Sequence, residues 1–75
     1  MAINLFEGTP EQMSQLLSCI ERHRAEKGAL MPVLHEAQDL YGYLPAEVQT
    51  VIAEQLNIPL AEVYGVATFY SQFSL

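Results

Sequence analysis

Apolar side chains recur at helical spacing along most of the chain, and the first stripe follows a clear start signal. Thr9 can cap a helix, Pro10 suits the first helical position, and Gln12 can reach back to complete a capping box. Gly28 can adopt a left-handed conformation that ends the helix. The apolar positions after the cap are Met13, Leu16, Leu17 and Ile20. The pattern predicts a first helix from Thr9 to Gly28.

Two further stripes predict a second helix over residues 30–41 and a third over residues 45–56. Gly42 and Asn57 follow these stripes, and both residue types favour the left-handed conformation that ends helices. Pro59 prevents the third helix from continuing. The positions expected to be buried are Leu30, Val33, Leu34, Ala37, Leu40 and Tyr41 in the second helix, and Val48, Val51, Ile52 and Leu56 in the third.

A fourth helix is predicted from Pro59 or Leu60 to about Tyr70. The connections between the four segments are only a few residues long, so neighbouring helices are expected to pack antiparallel or at steep angles. The sequence therefore predicts an all-α fold, a small bundle of about four short helices.

The fourth helix has more apolar surface than a bundle of this size can cover. At 100° per residue its apolar side chains sweep about 220°, whereas a surface helix needs little more than 100°. Such aromatic residues are often plain core, but the wide arc equally favours an interface. The residues predicted to contact another domain or a partner are Glu62, Val66, Phe69, Tyr70 and Phe73.

The last residues alternate apolar and polar positions, as at the start of a strand. Phe73 and Leu75 are the apolar members, and an isolated strand is not stable. We therefore expect residues 71–75 to be the truncated start of a following domain, after an N-terminal tail over residues 1–8 and a helical domain over residues 9–70.

Charge and cysteine content exclude several classes of protein. The chain has 75 residues, three Lys and Arg against nine Asp and Glu, and a formal net charge of −6. Three basic residues cannot form the basic face that nucleic acid or an anionic membrane requires. The single cysteine excludes a disulfide scaffold. With no signal peptide and no membrane-length apolar run, the expected location is the cytoplasm.

The candidate chemistry is sparse. Cys19 and His23 lie four residues apart on the first helix, a spacing that can place two ligands on one metal, and His35 could supply a third. The structural interpretation is favoured, with Cys19 as a small core residue and His23 at the end of the helix, so no metal ligand is assigned. Glu36 and Asp39 form an acidic pair that a solvated helix face already explains. No arrangement of residues supports an autonomous active site.

Three stretches resemble one family of redox subunits. They are residues 28–34 (GALMPVL), 41–45 (YGYLP) and 58–73 (IPLAEVYGVATFYSQF). The chain, over roughly residues 15–75, resembles the N-terminal helical domain of the thioredoxin-like 2Fe–2S subunit of NADH–quinone oxidoreductase (complex I) and of NAD(P)-linked iron-only hydrogenases. Related formate dehydrogenases carry a similar subunit.

The resemblance implies a docking role. In the family, a thioredoxin-like domain that holds the 2Fe–2S cluster with four cysteines follows the helical domain, and flavin and NAD(P) bind to a partner subunit. Cys19 matches no cluster ligand, so residues 1–75 are expected to bind no cofactor and to contact that downstream domain and that partner subunit. Two other hypotheses remain open: a free-standing acidic adaptor that binds a partner helix, and a small metal-binding regulator that uses Cys19, His23 and His35.

Overall fold

The structure of the protein is a computed structural model that describes residues 8–70 and 73–75. Four α-helices are present in this part of the chain: α1 (Pro10–His23), α2 (Leu30–Tyr41), α3 (Ala46–Leu56) and α4 (Leu60–Phe69). The described residues contain no strand, so the predicted all-α fold is confirmed. The predicted N-terminal tail, apart from residue 8, lies outside the described residues.

Helix α1 begins as the sequence predicts. The Gln12 amide donates to Thr9 Oγ1 at 3.1 Å, and the Thr9 amide donates to Gln12 Oε1 at 2.9 Å, which completes the capping box. The same Gln12 side chain donates from Nε2 to the carbonyl of Leu40, in the last turn of α2, at 2.9 Å. One amide side chain therefore joins the start of α1 to the end of α2.

The predicted end of α1 is wrong. The helix ends at His23, and residues 24–29 form turns, one of which is closed by a 2.9 Å bond from the Glu26 amide to the His23 carbonyl. The physical reason is that the buried stripe ends at Ile20, and residues 24–27 offer no large apolar side chain to pack. Gly28 does adopt a positive φ of 69°, but within the connecting turn.

The ends of α2 and α3 match the sequence prediction. Gly42 has a φ of 83°, and its amide donates to the Gln38 carbonyl at 2.7 Å. Asn57 has a φ of 58°, and the following amide, of Ile58, donates to the Ala53 carbonyl at 3.0 Å. These bonds satisfy helix carbonyls that would otherwise lack a partner.

The core lies between α1, α2 and α3, and α4 packs against α3. Its buried side chains are Leu16, Cys19, Ile20, Val33, Leu34, Ala37, Leu44, Val48, Ile52, Ala53, Val63, Ala67 and Phe73.

The burial predicted for α2 and α3 needs a correction. In α2, Leu30, Leu40 and Tyr41 are half-buried rather than buried.

Helix α3 also differs from its prediction. Val51 and Leu56 are half-buried, whereas Gln49 and Ala53 are buried. Gln49 tolerates burial because its Nε2 donates to the Leu44 carbonyl at 2.9 Å.

The C-terminal residues pack onto the helices. Phe73 is only 7% exposed and its ring lies 4.9 Å from the ring of His35. The Leu44 amide donates to the Ser74 carbonyl at 2.7 Å, and the Ser74 amide donates to Gln38 Oε1 at 2.5 Å. These contacts hold residues 73–75 against α2 and the α2–α3 connection, and these three residues form no strand.

Candidate functional site

Helix α4 buries one narrow stripe and exposes much of its remaining apolar surface. Val63 and Ala67 are buried, and Val66 is half-buried against the core. Phe69 is 82% exposed, which is the largest exposed fraction among the exposed large hydrophobic side chains of the described residues. Its ring makes an edge-to-face contact with the ring of Tyr70 at 5.3 Å. The pair forms an aromatic corner at the C-terminal end of the helix.

The five predicted contact residues do not share one surface. Glu62, Phe69 and Tyr70 are exposed, as a contact surface requires, and Val66 is half-buried. The expectation that Phe73 lies on the uncovered face is wrong, because its ring is buried in the core of the chain itself and Ser74 bonds to the α2–α3 connection. Helical periodicity cannot reveal this, since the chain leaves the helix at Phe69.

A second apolar feature, which the sequence did not single out, lies between α3 and α4. Leu60 and Tyr64 are about half exposed and line a shallow groove of about 390 Å³. The remaining lining residues are Ala46, Gln49, Thr50 and Ala61. On the 100° wheel Leu60 and Tyr64 lie on the opposite flank of the buried stripe from Phe69. The wide apolar arc thus divides into two flanks rather than one extra face.

Three polar side chains of α1 and α2 meet between these helices, where Cys19 is buried in the core and His23 and Glu36 are partly buried at its edge. The ligand atoms of Cys19, His23 and Glu36 all lie within 4.8 Å of one another. His23 Nε2 is 3.0 Å from Glu36 Oε2, and His23 Nδ1 is 2.8 Å from Glu26 Oε1. Arg22 donates to the other Glu36 oxygen, Oε1, at 3.0 Å. We call Cys19, His23 and Glu36 the α1–α2 cluster.

The α1–α2 cluster corrects two expectations from the sequence. His35 is not its third member, since it lies on α2 against Phe73. Glu36 does not belong to a purely solvated acidic face, because it is partly buried beside α1. The spacing of Cys19 and His23 was visible in the sequence, whereas their partner on another helix was set by packing.

The contacts of the α1–α2 cluster shift the pKa values of its members. The hydrogen bond from His23, with those from Cys19 and Arg22, lowers the pKa of Glu36 to about 2. Hydrogen bonds to Glu26 and Glu36 raise the pKa of His23 above its ordinary value. Burial, reinforced by Glu36, raises the pKa of the Cys19 thiol to about 11. The cluster therefore holds a protonated thiol and a charged carboxylate side by side at neutral pH.

The class of protein is defined by a family match that covers most of the chain. The profile of the family described as thioredoxin-like 2Fe-2S ferredoxin matches residues 16–75, so the chain belongs to that family. The family assignment made from the three sequence stretches is thereby confirmed.

Two relatives of this chain are subunits of redox enzymes. It is 44% identical over 61 residues to the NADP-reducing hydrogenase subunit HndA of Solidesulfovibrio fructosivorans, a match that covers 81% of this chain and 36% of the relative. It is 37% identical over 68 residues to an NADH-quinone oxidoreductase subunit of Aquifex aeolicus, covering 91% of this chain and 42% of that relative. The chain thus matches less than half the length of both relatives.

None of the four helices in residues 8–70 is long and apolar enough to cross a lipid bilayer.

Proposed function

We propose that this chain is the helical docking domain of the 2Fe–2S electron-transfer subunit of an NAD(P)-linked oxidoreductase, a hydrogenase or an NADH dehydrogenase. The observation that carries the proposal is the aromatic corner on α4, where Phe69 is 82% exposed in a chain that belongs to this family. An aromatic side chain contributes strongly to binding when a partner covers it. The subunit would act in the cytoplasm.

The contact surface consists of the exposed flank of α4 and the aromatic corner. Glu62, Val66, Phe69 and Tyr70 form this docking surface, and Glu62 is its single carboxylate. An apolar centre with one charged side chain at its edge resembles a protein interface, in which the core is apolar and the rim is polar. We assign Phe73 a different role, because burial of its ring holds the C-terminal residues against the helices.

The 2Fe–2S cluster does not fit the residues of this chain. Such a cluster takes four cysteine thiolates, or two cysteines and two histidines. The chain has one cysteine and two histidines, which is fewer than four ligands in total. We infer that the cluster ligands lie in the thioredoxin-like domain of the complete subunit and that these 75 residues contribute geometry rather than electron transfer.

The partner we propose for the docking surface is that thioredoxin-like 2Fe–2S domain. The family takes its name from such a domain, and more than half the length of each relative lies outside the match. A domain joined by a short connection needs only weak affinity, because its effective concentration is in the millimolar range. The flavin- and NAD(P)-binding subunit is expected to contact the assembled subunit rather than α4 alone.

The test is a titration of the isotope-labelled 75-residue chain with the separately produced 2Fe–2S domain of a relative. We expect chemical-shift changes at Glu62, Val66, Phe69 and Tyr70, with a dissociation constant in the high micromolar to millimolar range. Phe69→Ser is expected to abolish these changes. Leu17→Ser, which also removes an exposed apolar side chain but lies on α1, is the matched control and should leave them intact.

Three results would contradict all or part of the proposal. Shift changes on α4 with the flavin- and NAD(P)-binding subunit, and none with the 2Fe–2S domain, would reject the proposed partner but keep the docking role. Equal binding by Phe69→Ser and by the unchanged chain would reject the docking surface itself. Sedimentation before the titrations would detect self-association through Phe69. If self-association were the one kind of binding that depends on Phe69, the proposed partner would also be rejected.

A further inference from the structure

The α1–α2 cluster has the donor set of a transition-metal site, and this feature is independent of the docking role. Cys19 supplies a sulfur, His23 a ring nitrogen and Glu36 a carboxylate oxygen, and these are the three ligand types that Zn²⁺ uses in proteins. Cys19 and His23 are four residues apart on α1, so both side chains lie on one helix face. Glu36 completes the set from α2.

The distances fit a metal after small movements. Metal–ligand bonds of 2.0–2.3 Å in tetrahedral geometry separate the ligand atoms by roughly 3.3–3.8 Å. His23 Nε2 and Glu36 Oε2 are 3.0 Å apart, so they must separate by a few tenths of an ångström. The Cys19 sulfur is buried and lies within 4.8 Å of both atoms. The partly buried side chains of His23 and Glu36 must therefore move toward it, by up to about 1 Å, to reach the separation of a tetrahedral site.

The groups around the cluster hold the ligands as they are held in metal sites. A histidine that binds metal through one ring nitrogen usually donates from the other to a carboxylate. Here His23 Nδ1 contacts Glu26 Oε1 at 2.8 Å, which leaves Nε2 directed at the cluster. A ligating carboxylate is usually hydrogen-bonded as well, and Arg22 occupies the second oxygen of Glu36 at 3.0 Å.

We propose that Cys19, His23 and Glu36 bind one divalent transition-metal ion, of which Zn²⁺ is the test ion. The ion replaces the hydrogen bonds inside the cluster. The thiol proton and the proton between His23 Nε2 and Glu36 leave to solvent, and no electron is transferred. His23 keeps the proton on Nδ1, which it donates to Glu26 Oε1. Three protein ligands leave one position for water, which is the pattern of an open site rather than a closed structural one.

The experiment measures Zn²⁺ binding to the 75-residue chain by calorimetry, and Co²⁺ binding by absorption, under a non-thiol reductant. A 1:1 complex with a thiolate-to-Co²⁺ charge-transfer band is expected. Cys19→Ser should remove the band and Glu36→Gln should weaken binding. Asp39→Asn, the matched control on the same helix, should leave it unchanged. Glu26→Gln should weaken binding about 10- to 100-fold.

Four outcomes would overturn the site. Absence of a 1:1 complex, a Co²⁺ spectrum without a thiolate band, or equal weakening by Asp39→Asn and Glu36→Gln would each reject it. Circular dichroism without metal checks that every variant remains folded. If Cys19→Ser fails to fold, Glu26→Gln still tests the site, because Glu26 lies in an exposed turn and not in the core. Zn²⁺ binding by folded Glu26→Gln at full affinity would overturn the site.

Discussion

The two phenylalanines near the C-terminus make the sharpest test of the fold, because they look alike in the sequence and lie in opposite environments. Phe73 is 7% exposed and Phe69 is 82% exposed. Burying a phenylalanine side chain contributes about 1.5–3 kcal/mol, and Phe73 has nearly all of that burial. Only the lost burial is counted here, because the cost of a cavity depends on how far the site relaxes. We therefore expect Phe73→Ala to lower the free energy of unfolding by about 1.5–3 kcal/mol.

That loss is large for so small a domain. A 75-residue domain has a total stability of about 4–11 kcal/mol. At roughly 4–8 °C per kcal/mol, the melting temperature of Phe73→Ala should fall by roughly 6–24 °C. Phe69→Ala is the matched control, and its exposed ring should change stability by less than about 0.5 kcal/mol.

The assay is thermal unfolding followed by circular dichroism, at a protein concentration low enough to exclude self-association, with urea unfolding as a second measurement. Equal melting temperatures for Phe73→Ala and the unchanged chain would refute the reasoning, because burial of Phe73 would then contribute nothing. A larger effect at Phe69 than at Phe73 would refute the placement of both rings.

Two further predictions concern backbone conformation and pH. Gly42→Ala should destabilise the fold by about 1–2 kcal/mol, because Gly42 has a φ of 83°, which an alanine rarely adopts. Gly65→Ala should stabilise the fold by up to about 1 kcal/mol, because Gly65 lies inside α4 and no atom stands in the way of a Cβ. Urea unfolding measures both changes. The unchanged chain should be more stable than Glu36→Gln, and the difference should be largest between about pH 4.5 and the ordinary histidine range. Below that range Glu36 loses its contribution to stability, as the pH falls from 4.5 toward its folded pKa of about 2. Above that range His23 loses its contribution, as the pH rises through its raised pKa. Melting temperatures across that pH range measure the difference, and a constant difference would contradict the assigned contacts.

Local chemistry made much of the fold predictable. The cap at Thr9 and the left-handed ends at Gly42 and Asn57 depend on residues within a few positions, so the sequence shows them directly. The end of α1 was harder, because Gly28 is a valid helix terminator but the helix had already lost its buried stripe after Ile20.

The candidate sites were less predictable because they depend on contacts between distant segments. Phe73 follows the α4 pattern in sequence, yet α4 ends at Phe69 and the Phe73 ring lies in the core. Cys19 and His23 share a helix face that the sequence shows, but only the packing of α2 against α1 selects Glu36 and not His35 as their neighbour. A single sequence carries no signal for either event.

The shared side chain of Gln12 has a consequence for how the domain opens. Its Oε1 accepts from the first amide of the α1 cap while its Nε2 donates to the Leu40 carbonyl at the end of α2. Neither helix end can fray without breaking a bond that serves the other. Amide protons at these two ends should therefore exchange with solvent in one concerted event rather than independently, which makes the α1–α2 pair a single cooperative unit of local unfolding.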